Sequence, residues 1–154
     1  MGQTEFIDRI NKGYDFANKF LHYGMEIRPK VTWADSQAGQ FIAEWLVTSD
    51  FIDQNQCIDE GVLGTVTDNT TAMLIGSVLC DRGKSVSTSI SVQAVAPIKP
   101  NTVVEIVCAV ASKTSKQPHA TATFRDKQSP QLIYGRGAHT KFFKAGLSES
   151  QPRL

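Results

Sequence analysis

One carboxylate interrupts a segment that is otherwise rich in apolar and hydroxyl side chains. Asp68 lies within residues 61–80, and its neighbours in the chain are Val66, Thr67, Asn69 and Thr70. A carboxylate on a buried helix is costly unless it is paired or opens onto a cleft, where it can act as a general base toward water. Asp68 is therefore a candidate catalytic residue; the alternative is a polar residue that hydrogen-bonds a neighbouring loop.

Two glycines stand near the start of the same segment, at Gly61 and Gly64. Glycine allows another backbone or a ligand to come close. The free N–H groups of a helix N-terminus can also hold an oxyanion. Tight packing of the helix on a sheet explains these glycines equally well, so both interpretations stay open.

A polar turn with two lysines is a candidate site for phosphate groups. It comprises Ser112, Lys113, Thr114, Ser115 and Lys116. Ammonium, hydroxyl and backbone donors together suit a phosphate. A solvated hairpin tip is the alternative interpretation.

The remaining chemistry-bearing residues do not predict a metal site or a cofactor. The histidines are His22, His119 and His139, and the cysteines are Cys57, Cys80 and Cys108. Neither set has the spacing of metal ligands. The odd, widely spaced cysteines indicate reduced thiols, which predicts an intracellular protein of the cytoplasm or mitochondrion.

Composition excludes several functional classes. The formal net charge is +1 over 154 residues, which gives no reason to expect nucleic acid as a partner. No stretch approaches the ~20 apolar residues of a membrane helix. The acidic residues Glu5 and Asp8 stand where a secretory signal would be basic, so we expect no such signal.

The first half of the chain predicts two helices separated by a hairpin. Apolar residues at helical spacing predict an amphipathic helix over residues 4–22. Alternation over residues 31–47 predicts two strands with a turn at Gly39, and residues 48–60 read as a polar loop. The segment 61–80 is apolar around most of a helical circumference, which is typical of a buried helix.

The second half predicts long strands only. They cover residues 86–96, 103–111, 120–124 and 132–143, arranged as a meander, and the first alternates as a half-buried strand. The order predicts an α+β fold: an antiparallel sheet wrapped around a long central helix, with an extra N-terminal helix. We expect a helix and linker over residues 1–27, the main domain over 28–145 and a flexible tail over 146–154.

Four short motifs resemble those of a known family. They are Gly61-Val-Leu-Gly-Thr-Val-Thr-Asp68-Asn-Thr-Thr, Val86-Ser-Thr-Ser-Ile-Ser, Ala96-Pro-Ile-Lys99 and His139-Thr-Lys141. Over about residues 28–144 the chain resembles the small hotdog-fold acyl-CoA thioesterases of the phenylacetate-pathway-like branch. The resemblance implies a homodimer or homotetramer that hydrolyses acyl-CoA thioesters, as in fatty acid metabolism, to the free acid and coenzyme A.

The resemblance also implies roles for individual residues. Asp68 would activate water with help from Ser87, while the helix N-terminal amides at Glu60 and Gly61 of the other subunit would polarise the thioester carbonyl. The CoA groove falls on two segments and two further positions. Its residues would be Asp59, Ser89, Val95, Ala96, Pro97, Lys99, Ser112, Lys113, Thr114, Ser115 and Lys116.

The chain departs from the family pattern at the start of the central helix. The family's His-Gly-Gly motif reads Asp59-Glu60-Gly61 here, and Asp53 stands where the family commonly has Asn, although Asn55 could substitute. These acidic residues would repel an anionic CoA. Ser87 lies on the polar parity of its strand, so it reaches Asp68 only if the strand twists or bulges locally.

Two other functions therefore stay open. The first is a non-catalytic hotdog protein that binds acyl-CoA or a protein partner. The second is a hotdog hydratase, which is less favoured because that chemistry usually pairs the Asp with a His on the same helix, and Met73 stands there.

Overall fold

The computed structural model describes residues 1–20, 27–79, 85–114 and 116–143. Within these ranges the chain forms two helices and six strands. They are α1 (Gln3–Phe20), β1 (Lys30–Asp35), β2 (Gln40–Leu46), α2 (Glu60–Leu79), β3 (Ser85–Ala94), β4 (Val103–Ser112), β5 (His119–Asp126) and β6 (Ile133–Phe143). The predicted order of elements is confirmed, and a short 3-10 turn at Ser49–Phe51 adds to it. The predicted tail 146–154 lies outside the described residues.

The six strands form one antiparallel sheet in the order β1-β2-β4-β5-β6-β3. The predicted meander is therefore wrong in one respect. Strands β4, β5 and β6 are sequential neighbours, but β3 pairs with β6 at the far edge and β4 pairs with β2. The connection through residues 95–102 contains Pro97 and Pro100 and passes from one side of the sheet to the other. It is held by hydrogen bonds from Ile58 to the Ile98 carbonyl and from Asn101 to the Val47 carbonyl.

Helix α2 lies on one face of the sheet because it is apolar on most sides. Its buried residues include Leu63, Val66, Thr67, Thr70, Thr71, Leu74 and Ile75. They meet the inward side chains of the strands, such as Phe41, Ile106 and Phe124, which are fully buried. Helix α1 covers α2 from the side with Phe6, Ile10 and Tyr14, also fully buried.

Two glycines of β6 let α2 come close to the sheet. A Cβ atom at Gly137 would lie 2.4 Å from Thr67 Oγ1, and one at Gly135 would lie 3.6 Å from a methyl group of Leu63. No side chain fits at Gly137 without displacing the helix, because real Cβ contacts are longer than 3 Å. The residues that follow on β6 are therefore held against α2.

Strand β3 is exposed on both faces within one chain. Val86 is 61% exposed and Ile90 is 42% exposed, so the expectation of a half-buried strand is wrong for the single chain. One edge of β3 pairs with β6, and its other edge is the end of the sheet. The alternating apolar side chains that predicted a half-buried strand are thus exposed in the single chain.

Neither helix, within the described ranges, is long and apolar enough to cross a membrane.

Candidate active site

A cluster of polar side chains forms where α2 passes over the C-terminal half of β6 and the N-terminal end of β3. Asp68 comes from α2, Ser87 from β3, and His139 and Lys141 from β6. They meet because the Thr67–Gly137 contact sets the register of the helix on the strand. The next residue, Asp68, and the residue one turn later, Thr71, then lie near His139.

A β-bulge turns Ser87 toward this cluster. Ser87 pairs with Lys141 and Ser89 pairs with the next residue, Thr140, so that Thr88 is an extra residue between them. An extra residue changes the side of the sheet to which the preceding side chains point. Ser87 therefore points to the same face of the sheet as His139. This is the local bulge that the position of Ser87 on the polar side of its strand required.

His139 is fully buried and both of its ring nitrogens have partners. Nδ1 lies 2.7 Å from Thr71 Oγ1, and Nε2 lies 2.9 Å from Ser87 Oγ. Burial lowers the pKa of His139 to about 4, against the opposing effect of the nearby Asp68 carboxylate. His139 is therefore a neutral hydrogen-bonding group near neutral pH.

Asp68 and Ser87 form the open side of the cluster. The Asp68 side chain is 44% exposed, and its Oδ1 lies 3.6 Å from His139 Nε2. Ser87 is exposed, and the Lys141 ammonium donates to its Oγ at 3.5 Å. Desolvation by burial lowers the pKa of Lys141, although Asp68 opposes this effect. A carboxylate beside an oriented hydroxyl, both open to solvent, can hold a water molecule and take its proton.

The start of α2 is capped by its own preceding residue. The Asp59 carboxylate accepts a hydrogen bond from the Gly61 amide at 2.7 Å, and the Asp59 carbonyl accepts from the Val62 amide at 3.0 Å. The resemblance assigned two amides to the oxyanion. The Gly61 amide is already hydrogen-bonded to the Asp59 carboxylate, and the Glu60 amide is the first N–H of the helix.

The other predicted catalytic carboxylate, Asp53, organises a loop. Its Oδ1 accepts from the amides of Asn55 at 2.8 Å and Cys57 at 3.2 Å, and its Oδ2 accepts from the Asn55 side chain at 3.0 Å. These bonds stabilise the turn that holds Gln56 at a φ of 59°. The geometry accounts for Asp53 and Asn55 as loop residues, and a catalytic role for either stays a prediction.

The two predicted CoA segments lie at opposite ends of β6 within one chain. The amides of Val95 and Ala96 both donate to the Tyr134 carbonyl, while the Lys116 carbonyl accepts from the Phe143 amide and the Pro118 carbonyl from Lys141. Tyr134 and Lys141 are seven residues apart, which is about 23 Å along a strand. One chain therefore does not bring the two segments together.

Some of the other predicted CoA-binding residues are held by hydrogen bonds within the chain, and others have exposed side chains. The Lys113 ammonium donates to the Gln37 carbonyl at 2.7 Å, and Thr114 donates to the Gln117 carbonyl at 2.7 Å. Exposed side chains belong to Pro97, Lys99 and Lys116, and also to Ser89, which pairs with Thr140 on the face opposite His139. Ser115 lies outside the described residues.

Sequence reasoning missed Thr71, His139 and Lys141 as members of the site. In the sequence His139 is one of three histidines without the spacing of metal ligands, and His139 and Lys141 share a family motif that implies no role for either. The signal that could have found them is the spacing Gly135-x-Gly137-x-His139, because two glycines on the inner parity of a strand predict close contact with the helix beside it. No group of three or more His, Cys, Asp or Glu residues in the described part of the chain is arranged to hold a metal.

Comparison with known proteins supports the fold. No protein-family model and no curated protein matches the chain. Thioesterase superfamily member 2 of zebra fish superposes with a TM-score of 0.76 at 16% identity, covering 90% of this chain and 98% of that chain. Thioesterase superfamily member 2 of Mus musculus gives 0.74 at 15% identity, with 94% and 100% covered. A Streptococcus mutans protein solved with acetyl-CoA gives 0.66 at 12% identity, with 76% and 89% covered. The chain has the hotdog fold of these structures, which confirms the predicted architecture.

Proposed function

We propose that the chain is an acyl-CoA thioesterase, which hydrolyses acyl-CoA to a free acid and coenzyme A with Asp68 as the general base. The observation that carries this proposal is the solvent-open Asp68 carboxylate, which approaches the same His139 nitrogen, Nε2, as the Ser87 hydroxyl. The bound acetyl-CoA of the Streptococcus mutans protein and the names of the zebra fish and mouse structures support this substrate class.

In the proposed reaction Asp68 and Ser87 hold a water molecule. Asp68 accepts its proton as the oxygen attacks the thioester carbonyl carbon, which forms a tetrahedral oxyanion. The oxyanion collapses and the C–S bond breaks, so that the CoA sulfur leaves with the electron pair and takes the proton from Asp68. The products are the carboxylic acid and CoA, and the carboxylate of Asp68 is restored.

The oxyanion donor in this proposal comes from a second copy of the chain. Glu60 and Asp68 are eight residues apart on α2, which places the Glu60 amide about 12 Å from Asp68 along the helix axis. A base and an oxyanion donor must both lie about 3 Å from neighbouring atoms of one reacting group. One chain cannot meet this requirement, so we infer that the Glu60 amide of one protomer serves the Asp68 of the other.

The edge strand β3 supplies the contact between the two copies. It is 10 residues long and contains neither a charged residue nor a proline. Natural edge strands usually carry such residues as protection against pairing, so an unprotected edge indicates a partner strand. We propose antiparallel pairing of two β3 strands about a twofold axis near Ile90, whose exposed side chain the partner would cover.

This pairing also explains the two separated CoA segments. An antiparallel partner reverses the strand direction, so the end of one β3, at Ala94, approaches the start of the other, at Ser85. Residues 95–99 of one protomer then lie toward residues 112–114 and 116–117 of its partner, where Lys116 is exposed and suits the CoA phosphates. The pairing of two dimers into a tetramer, and the cellular compartment, stay predictions.

An assay with a panel of short to long acyl-CoAs tests the chemistry. Asp68→Asn should lower kcat by about 100-fold or more, because the carboxamide cannot accept the proton. Asp8→Asn is the matched control, since Asp8 is an exposed carboxylate on α1. Equal kcat values for Asp68→Asn and wild type on every substrate would rule out Asp68 as the base.

Mixing two inactive variants tests the shared site. Glu60→Pro removes one N–H at the first helical position, where proline is tolerated, and Glu60→Ala keeps that N–H as a control. When Asp68→Asn and Glu60→Pro are refolded together, about a quarter of the wild-type rate should return, because half the dimers are mixed and each of these has one intact site. No recovery beyond the sum of the two variants would place both residues in one chain's site.

One observation favours a second candidate function, binding of acyl-CoA without hydrolysis. The Asp59 carboxylate engages the Gly61 amide at the helix N-terminus and places a negative charge where an oxyanion would lie. Calorimetric binding of a CoA thioester by the wild type without release of free thiol would support this second function and exclude the first.

A further inference from the structure

A chain of hydrogen bonds connects the backbone of α2 to the exposed Ser87. Thr71 Oγ1 donates to the Thr67 carbonyl at 2.6 Å, His139 Nδ1 lies 2.7 Å from Thr71 Oγ1, and Ser87 Oγ lies 2.9 Å from His139 Nε2. Thr67, Thr71 and His139 are fully buried, so no water competes for the first two of these bonds.

The direction of each bond follows from the number of hydrogens. A threonine hydroxyl carries one hydrogen, and the short contact to the Thr67 carbonyl uses it, because a carbonyl can only accept. Thr71 Oγ1 must then accept from His139, so Nδ1 carries the imidazole hydrogen. In a neutral ring Nε2 is then the acceptor, and Ser87 donates to it.

We propose that Thr71 and His139 are positioning residues that fix the hydroxyl hydrogen of Ser87 toward Nε2, which turns the lone pairs of Ser87 outward. One lone pair receives the Lys141 ammonium at 3.5 Å. The other is left to accept a hydrogen from the water beside Asp68, so that the water oxygen is presented for attack. The presentation of water for attack rests on the proposed function, whereas the Nδ1–H tautomer of His139 does not.

The arrangement works only while His139 is neutral. The charges of three neighbouring ionisable side chains act on the ring: Asp68 from α2, Lys141 from β6 and His119 from β5. A protonated ring would carry a hydrogen on Nε2 as well, at 3.6 Å from Asp68 Oδ1, and would pair with the carboxylate that serves as base. Burial opposes this protonation, as does the positive charge of Lys141.

The test changes the residue that sets the tautomer. Thr71→Val removes the acceptor for Nδ1, so the ring hydrogen should move to Nε2, where Ser87 and Asp68 can accept it. The proton-coupled ¹⁵N signals of the imidazole report the tautomer directly: Nδ1–H in the wild type and in Thr71→Ser, Nε2–H in Thr71→Val. The kcat of Thr71→Val on acyl-CoA should fall by about 10- to 100-fold with an unchanged KM, and Thr71→Ser should restore it.

Each result decides the proposal. A wild-type Nε2–H tautomer, or the same tautomer in all three proteins, overturns it. A changed tautomer with unchanged kcat overturns the catalytic consequence. If Thr71→Val does not fold, Thr71→Ala, which also lacks the hydroxyl, takes its place with the same expected spectrum. An absence of thioesterase activity in the wild type would refute the proposed function alone, because the ¹⁵N spectra still decide the tautomer.

Discussion

Replacement of Gly137 by alanine tests the contact on which the site depends. An added Cβ would lie 2.4 Å from Thr67 Oγ1, 2.5 Å from Thr67 Cγ2 and 3.0 Å from Thr67 Cβ. All three atoms belong to one β-branched side chain on a buried helix, so a rotamer change does not remove the clash. Helix α2 must shift away from β6, which also lengthens the 2.7 Å contact between Thr71 and His139.

The cost follows from overpacking in a close-packed core. Such substitutions destabilise by about 1–3 kcal/mol. For a chain of this length each kcal/mol lowers Tm by about 2–4 °C, so we expect Gly137→Ala to lower Tm by roughly 2–12 °C. Urea denaturation of the wild type and the variant at one fixed protein concentration measures the difference in their free energies of unfolding, because the stability contributed by association depends on that concentration.

A second substitution separates this explanation from a general loss of backbone freedom. Thr67→Ala removes the two nearest clashing atoms, and the Thr67 hydroxyl has no hydrogen-bond partner among the described residues. The loss of unfolding free energy caused by Gly137→Ala should therefore be smaller in the Thr67→Ala background than in the wild type, by at least about 1 kcal/mol. An equal cost in both backgrounds, or a fully stable Gly137→Ala, would refute the packing argument.

Three further predictions concern buried titratable and polar groups. The unfolding free energy should fall by up to roughly 3 kcal/mol as pH is lowered from 6.5 to about 4, because the unfolded His139 binds a proton in this range and the folded one, with its pKa lowered to about 4, does not. Denaturation curves against pH measure this, and His139→Gln should flatten them. Tyr14→Phe should leave stability unchanged or raise it by up to about 1 kcal/mol, since the buried Tyr14 hydroxyl has no partner in the described part of the chain. Tyr134→Phe should instead cost about 1 kcal/mol, because the Tyr134 hydroxyl donates to Asp126 at 2.8 Å.

Periodicity predicted the elements because burial in this chain is regular. Strands β2, β4 and β5 alternate buried and partly exposed residues along most of their length. Alternation identifies the face of a strand but not its neighbour in the sheet. The position of β3 beside β6 therefore depends on the path of residues 95–102, whose hydrogen bonds to Val47 and Ile58 are long-range in sequence.

The sequence predicted a site residue when its polarity differs from that of its neighbours, and it did not predict one when its burial fits the pattern of its strand. Asp68 stands out as a carboxylate on an apolar helix. His139 lies on the buried parity of β6, between alternating residues, and a buried histidine is unremarkable in sequence until its two partners are known. The face of Ser87 depends on a bulge at Thr88 that alternation alone does not locate.

The exposed edge strand and the distance along α2 lead to the same conclusion from independent observations. The sheet ends at an uncharged strand that exposes Ile90, which indicates a missing partner strand. In the proposed mechanism the oxyanion donor must come from a second copy, because α2 separates the Glu60 amide from Asp68 by about 12 Å. Antiparallel pairing of β3 would supply both, because it brings the start of one α2 toward the middle of the other. A charged side chain at the centre of that edge, as in Ile90→Glu, should therefore abolish association and activity together, whereas a monomer that keeps its activity would show that the two features are unrelated.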